Sequence, residues 1–289
     1  MGGRTMKRAR EVIAFQGARG AFSEEATRKL TGENAEVIPC ERFEDVFRSL
    51  AEGRATGAVV PIENTLAGSV HENYDHLLHF ELPIVAETNL RIVHNLIARP
   101  GIPFSKIRRV YSHPVALNQC LDFFAKYPQL ERVPFYDTAG SVKMIMEEKP
   151  EDAAAIASQV AAEIYGARIL RRSIESDRRN FTRFFLLRTP AYARRHPIRT
   201  APNTHWKTSV VFSTRNVPGS LFRALSVFAL RDLDLAKIES RPLRGKPWEY
   251  LFYLDFLGRA DSPNAKNALG HLGEIADFLR VLGSYPKSA

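Results

Sequence analysis

TPAYARRHPIRTAPNT, residues 189–204, divides the chain. It holds three prolines, three arginines and a histidine, has no apolar periodicity, and reads as a linker. What lies on its two sides differs in pattern, and that difference decides the fold. Upstream, short apolar runs alternate with helix-like segments. Val12-Ile13-Ala14-Phe15, Ala58-Val59-Val60, Arg109-Val110-Tyr111, residues 132–136 and 153–157, and finally 181–187 read as strands, the second closed by Pro61. Helices are expected from an N-cap at Ser23 to about Leu30, over 43–52, from a capping box at Ser69 and Glu72, from Pro114 to Lys126, from Ala139 or Gly140 to Glu148, and before Gly166. Residues 83–98 read as extended chain. This alternation predicts an α/β domain with largely parallel sheets. Downstream, strands at 208–213, 235–243, 250–257 and 283–286 and helices at 218–230 and 264–281 give β-α-β-β-α-β, the ferredoxin-like order, with a turn at 244–247. The expected divisions are a disordered tail over 1–10, an α/β domain over 11–189, a linker over 190–205 and a second domain over 206–289.

Composition narrows the function class. Of 289 residues, 45% are hydrophobic and 25% charged, a globular balance. No apolar run is long enough to span a bilayer, so no membrane partner is expected. The basic, polar start lacks the apolar stretch of a secretory signal and is shorter than a usual transit peptide. The two cysteines, Cys40 and Cys120, have no metal-ligand spacing, which points to free thiols in a reducing compartment and to a cytoplasmic location. The net charge of +9 suits either nucleic acid or anionic small molecules. Without a recognition-helix, zinc or RNA-binding motif, nucleic acid is the weaker reading.

The polar residues that fall at strand ends carry the candidate chemistry. Gly17-Ala18-Arg19-Gly20 leads into Ser23 and offers an anion-binding turn or simply a turn. Glu63, Asn64 and Thr65 follow the buried 58–60 strand, where α/β sheets bind ligands. Ser112 and His113 follow the next strand; His113 serves either as acid or base or as a loop-bonding structural residue. Thr138, Ala139, Gly140 and Ser141 sit at a helix start. Asn180, Thr182, Arg183 and Phe184 place an amide, a hydroxyl, a guanidinium and an aromatic on a short strand, with Thr182 and Phe184 on one face and Arg183 on the other. There is no Walker pattern, dinucleotide fingerprint, HExxH or GxSxG, so neither metal nor cofactor is expected.

Seven segments in this order resemble the prephenate dehydratase family, including its plant-type members acting on arogenate: GARGAFSEEA (17–26), VPIENTLAGSVHENYDHLL (60–78), SHPVALNQC (112–120), DTAGS (137–141), NFTRF (180–184), GSLFRAL (219–225) and ESRP (239–242). The resemblance spans about 12–286. The family usually has Thr-Tyr at Ala21-Phe22, Ser at Thr65 and often Gln at Val115. The resemblance implies a two-lobed catalytic domain like type 2 periplasmic binding proteins, followed by an ACT domain. It implies decarboxylating dehydration of prephenate to phenylpyruvate, with arogenate dehydration or a non-catalytic amino-acid sensor as alternatives. It makes Thr182 central, with Arg183, Phe184, Glu63 and Asn64 as the other catalytic candidates and Glu63 as rival proton donor. Ser23, Thr65, Ser112, His113, Thr138, Ala139, Gly140, Ser141 and Asn180 become substrate-binding candidates. It further implies feedback by L-phenylalanine at Asn216, Pro218, Gly219, Leu221, Glu239, Ser240, Arg241 and Pro242 between paired ACT domains, hence a homodimer or homotetramer. The tail before residue 11 is too short for a fused helical chorismate mutase, and none is expected.

Overall fold

The computed structural model describes residues 11–198, 200–243, 245 and 248–288. The expected tail and three of the four residues of the 244–247 turn lie outside them.

The chain builds one lobe, crosses to a second, and returns. The first begins β1 (Val12–Gln16), α1 (Phe22–Thr31), β2 (Glu36–Cys40), α2 (Phe43–Ala51), β3 (Gly57–Asn64), β4 (Gly68–Ser69), α3 (His71–Phe80) and β5 (Ile84–Arg91). Ile13, Ala14 and Phe15 are fully buried, as are Val46, Phe47 and Leu50 on one face of α2. The second lobe comprises β6 (Asn95–Ala98), β7 (Arg109–Ser112), α4 (Pro114–Asn118), α5 (Leu121–Lys126), β8 (Glu131–Pro134), α6 (Thr138–Glu148), β9 (Ala153–Ala157), α7 (Gln159–Tyr165) and β10 (Arg168–Arg171). Then β11 (Phe181–Leu187) rejoins the first sheet, whose order is β2-β1-β3-β11-β5 with β4 hung on β3; the second sheet runs β10-β6-β9-β7-β8. The double crossing makes a two-lobed, periplasmic-binding-protein-like domain. Both faces of the second sheet are covered by apolar clusters, and its central strand is the fully buried Ala-Ala-Ala-Ile-Ala of β9.

After α8 (Pro190–Arg195) come β12 (Trp206–Ser213), α9 (Ser220–Ala229), β13 (Leu235–Pro242), β14 (Tyr250–Leu257), α10 (Pro263–Ile275) and β15 (Phe278–Pro286). The antiparallel order β13-β14-β12-β15 is the ferredoxin-like one. Val210, Phe212, Leu254 and Phe256 pack under α9 and α10. The other face is polar and buried: Ser209 Oγ donates to Asp255 and meets Tyr285 Oη, both at 2.5 Å, and Lys207 Nζ lies 2.8 Å from Glu87. By contact the chain forms two compact units, one from the residues up to Phe80 with Thr88–Leu186, the other from Glu81–Glu87 with Leu187 onward. The second unit therefore begins close to the expected boundary but also recruits the start of β5.

Several expectations need correction. The strand at 58–60 continues through Pro61 to Asn64: β1 pairs with it as far as Val59, and β4 pairs with it at Glu63 and Asn64. Ser69 belongs to β4, paired with Glu63, instead of capping a helix. The single helix expected over 114–126 breaks at Gln119–Cys120, where Cys120 has φ −118° and ψ 27°. Ser176 stabilises that break by donating its N–H to the Gln119 carbonyl (2.8 Å) and accepting Asp122 N–H (3.0 Å). β10, antiparallel to β6, went unseen, and the sheets are mixed. The linker holds α8, capped by Thr189 Oγ1 accepting Tyr192 N–H. The last helix ends at Ile275, and the final strand starts at Phe278 instead of Gly283, pairing with β12 throughout.

Candidate active site

Asn64 ends β3 and is fixed by its own turn: its Oδ1 accepts Leu66 N–H (3.0 Å) and Ala67 N–H (2.8 Å). Thr65 laces this turn to the start of β11, accepting Phe181 N–H (3.0 Å), donating its hydroxyl to the Arg179 carbonyl (2.7 Å), and donating its N–H to the Phe181 carbonyl (2.9 Å). The Nδ2 of Asn64 therefore faces β11. It lies 2.9 Å from Thr182 Oγ1, 2.7 Å from Asn180 Oδ1 and 3.1 Å from the Phe181 carbonyl. From the other lobe, Gln119 donates Nε2–H to Asn64 Oδ1 (3.3 Å) and accepts Asn180 Nδ2–H (2.9 Å) on Oε1. Thr182 is 8% exposed and Asn180 fully buried, while Asn64 and Gln119 are half-buried, so three amides from both lobes surround one largely buried hydroxyl. Thr182 accepts a hydrogen bond there, and its own proton meets no acceptor among the described residues.

A second polar seam joins the lobes at the glycine turn. Asp137 caps α6 by accepting Gly140 N–H (2.7 Å), and the same oxygen accepts Ala18 N–H (3.0 Å) from the first lobe. Ser158 Oγ donates to the Gly20 carbonyl (2.7 Å). A Cβ on Gly20 would lie 2.6 Å from the Ala161 backbone. The turn proposed as an anion dock is thus occupied by protein. Burial raises the Asp137 carboxyl despite its backbone donors.

The structure separates the other candidates. Ser23 lies inside α1 instead of capping it; Ala21 holds the N-cap position, and Glu24 reaches back to Gly20 N–H (2.7 Å). Ser112 gives its hydroxyl to the Ile156 carbonyl (2.6 Å) in the core. His113 is exposed and accepts Val115 N–H at Nδ1 (3.3 Å), the structural role. Thr138 is half-buried and its carbonyl accepts the Ser141 hydroxyl. Ala139 and Gly140 are buried, the latter leaving room for the Tyr136 ring. Phe184, 2% exposed, is a core residue, and Arg183 lies over Phe185 at 4.8 Å on the strand's other side. Glu63 is half-buried near the end of β3, opposite Ser69 of β4. Gln119 was missed, although it lies in the 112–120 segment; a continuous helix through 126 conceals the break that aims it.

In the second unit Gly219, at φ +77°, precedes α9. Register puts Ser240 beside Phe252, on the helix-covered face, and Glu239 and Arg241 beside Tyr253 and Leu251 on the other. One chain alone does not unite these residues. A hollow of about 410 Å³ opens at the opposite end of the sheet, lined by Trp206, Arg259 and Lys287 among others, but Asp261 already holds the Arg259 fork. Among the described residues no His, Cys, Asp and Glu group is placed to hold a metal ion, and no helix is long and apolar enough to cross a membrane.

Two lobes meeting at an amide-held hydroxyl, followed by a ferredoxin-like unit, define a small-molecule enzyme with an appended regulatory module. The prephenate dehydratase model matches residues 13–191 and the ACT domain model residues 208–274. The chain belongs to the prephenate dehydratase family of hydro-lyases. It is 47% identical to arogenate dehydratase/prephenate dehydratase 2, chloroplastic, of Arabidopsis thaliana, over 96% of this chain and 73% of that protein. Arogenate dehydratase 2 of Petunia hybrida is 45% identical over 96% and 72%. The prephenate dehydratase of Arthrobacter aurescens in complex with L-Phe superposes with a TM-score of 0.86 at 32% identity, covering 96% and 90%. GqqA, described as a quorum quenching acylase, superposes at 0.85 with 33% identity, covering 96% and 98%.

Proposed function

We propose that the chain converts prephenate to phenylpyruvate, with Thr182 assisting the departing hydroxyl. The ring carboxylate leaves as CO2, its bonding pair enters the ring, and the C–O bond on the opposite carbon breaks. The hydroxide takes one proton and leaves as water. Aromatisation supplies the driving force, so the protein's task is to orient the breaking bonds and deliver that proton. The observation carrying this reading is Thr182: largely buried, it accepts from Asn64 and keeps its own proton uncommitted. A threonine is a poor acid, so it relays a proton. Acyl transfer is disfavoured because, among the described residues, Thr182 Oγ1 touches no imidazole or carboxylate that would activate it as a nucleophile. The plant relatives named for arogenate favour a second substrate, differing only by an amine in place of the ketone. Comparing kcat/KM for prephenate and arogenate decides between them.

L-phenylalanine is the effector in this reading, bound where Gly219 and Ser240 of one copy meet Glu239 of another. The placement of these residues on opposite sheet faces supports a shared site and so a homodimer or homotetramer. Calorimetric titration with phenylalanine, and sedimentation with and without it, test both. We place the protein in the cytoplasm, a reading supported by two free, buried cysteines; fractionation of the native host tests it.

A further inference from the structure

We propose that His94 is a positioning residue, whose Nε2–H locks Gln119 in the orientation the Asn64 turn dictates and so steadies the amide hub beside the Thr182 hydroxyl. The inference rests on the role given to Thr182 above.

The orientation of each amide follows from groups that have no alternative. Leu66 N–H and Ala67 N–H can only donate, so the Asn64 atom they meet is its oxygen. Its nitrogen then faces Asn180 and Thr182, and the Phe181 carbonyl beside it, which can only accept, agrees. The Asn180 atom 2.7 Å away must be oxygen, so the Asn180 nitrogen points at Gln119, which must present its oxygen. The Gln119 nitrogen then meets Asn64 Oδ1, closing the ring. That Gln119 oxygen lies 2.8 Å from His94 Nε2, which must therefore carry a proton.

The other ring nitrogen agrees. Nδ1 is buried with no hydrogen-bond partner among the described residues. A proton there would be a buried unsatisfied donor, so the neutral Nε2–H tautomer is the one the site supports. Burial also lowers the imidazole pKa. The ring is held by the edge of Phe22 at 5.6 Å, while His94 N–H donates to Glu175 (3.0 Å) and the His94 carbonyl accepts Ile174 N–H (2.9 Å). Without the His94 donor, the Gln119 oxygen keeps only Asn180 Nδ2–H, so Gln119 is held less firmly against Asn64 and Asn180, and the Asn64 amide at Thr182 loses one support.

The tautomer is read directly by long-range ¹H–¹⁵N correlation on ¹⁵N-histidine protein, with His94 assigned among the eight histidines by its absence from His94→Gln. A neutral ring with Nε2 protonated at pH 7 is expected; an Nδ1–H tautomer or an imidazolium overturns the assignment. In kinetics, His94→Leu loses about tenfold in kcat with KM within about twofold, and His94→Gln, which presents a donor at the Nε2 position, recovers most of it. A His94→Gln enzyme as slow as His94→Leu, both melting with the wild type, overturns it too. Should His94→Leu fail to fold, the tautomer decides. Wild-type protein inactive on both prephenate and arogenate strikes the functional reading, a result distinct from the wrong tautomer.

Discussion

Replacing Gly20 with alanine pushes directly on the seam between the lobes. Gly20 sits at φ +84°, where an L side chain costs about 1–2 kcal/mol. The added Cβ would also meet Ala161 Cα at 2.6 Å and its backbone nitrogen at 2.9 Å, neither of which can swing aside. Overpacking of that kind costs about 1–3 kcal/mol more, and relieving it needs a shift of roughly 1 Å. Gly53→Ala is the control: its φ is +76°, with nothing within 4 Å of the added atom. Thermal unfolding of the two variants isolates the clash. Gly20→Ala should melt lower than Gly53→Ala by about 4–8 °C, from about 2 kcal/mol of clash in a domain of this size. Because a misplacement of about 1 Å can remove about 10²-fold of rate, kcat/KM should also fall for Gly20→Ala alone. Equal melting and equal activity of the two variants would refute the lobe contact described above.

Two buried carboxyls should answer pH with opposite signs. Burial pushes Glu24 up, but Gly20 N–H, Arg19 and Arg28 outweigh it and hold the carboxyl below its ordinary 4.5. Its contribution is complete above that value and disappears as pH falls through the folded value. Asp137 is raised above its ordinary 3.8 by burial, so its ionisation opposes folding once pH exceeds 3.8. Urea midpoints against pH should show Glu24→Gln weakened at pH 7 and converging with wild type in acid, and Asp137→Asn, which keeps a cap acceptor, stabilised at pH 7. In the second unit Lys207→Met alone should cost up to about 3 kcal/mol by removing the cation from the buried Glu87 carboxylate, which keeps Ser288 N–H, and adding Glu87→Leu should restore most of it in urea unfolding.

Local chemistry that decides its own structure was legible in the sequence. The left-handed Gly166 after α7, the all-apolar β9 and the strand at β12 are each written in a few neighbouring residues. What was hidden depends on distant partners. Gln119 leaves the helix because Ser176, far along the chain, takes up the exposed backbone groups. The glycine turn reads as an anion cradle until Asp137 and Ser158 of the other lobe fill it. Phe184 shares a motif with Thr182, yet it packs into the core while Thr182 faces the hub. His94 carries no local signal at all, because only the lobe crossing brings it to Gln119.

The central claim is that the Thr182 hydroxyl assists loss of the leaving group. Phenylpyruvate release from prephenate, with phenylalanine release from arogenate followed in parallel, tests it on purified wild-type and Thr182→Ala protein. Turnover of at least one substrate is expected from the wild type, falling by about 10²–10⁴-fold in Thr182→Ala with an unchanged melting temperature. Near-wild-type turnover by a folded Thr182→Ala protein would contradict it.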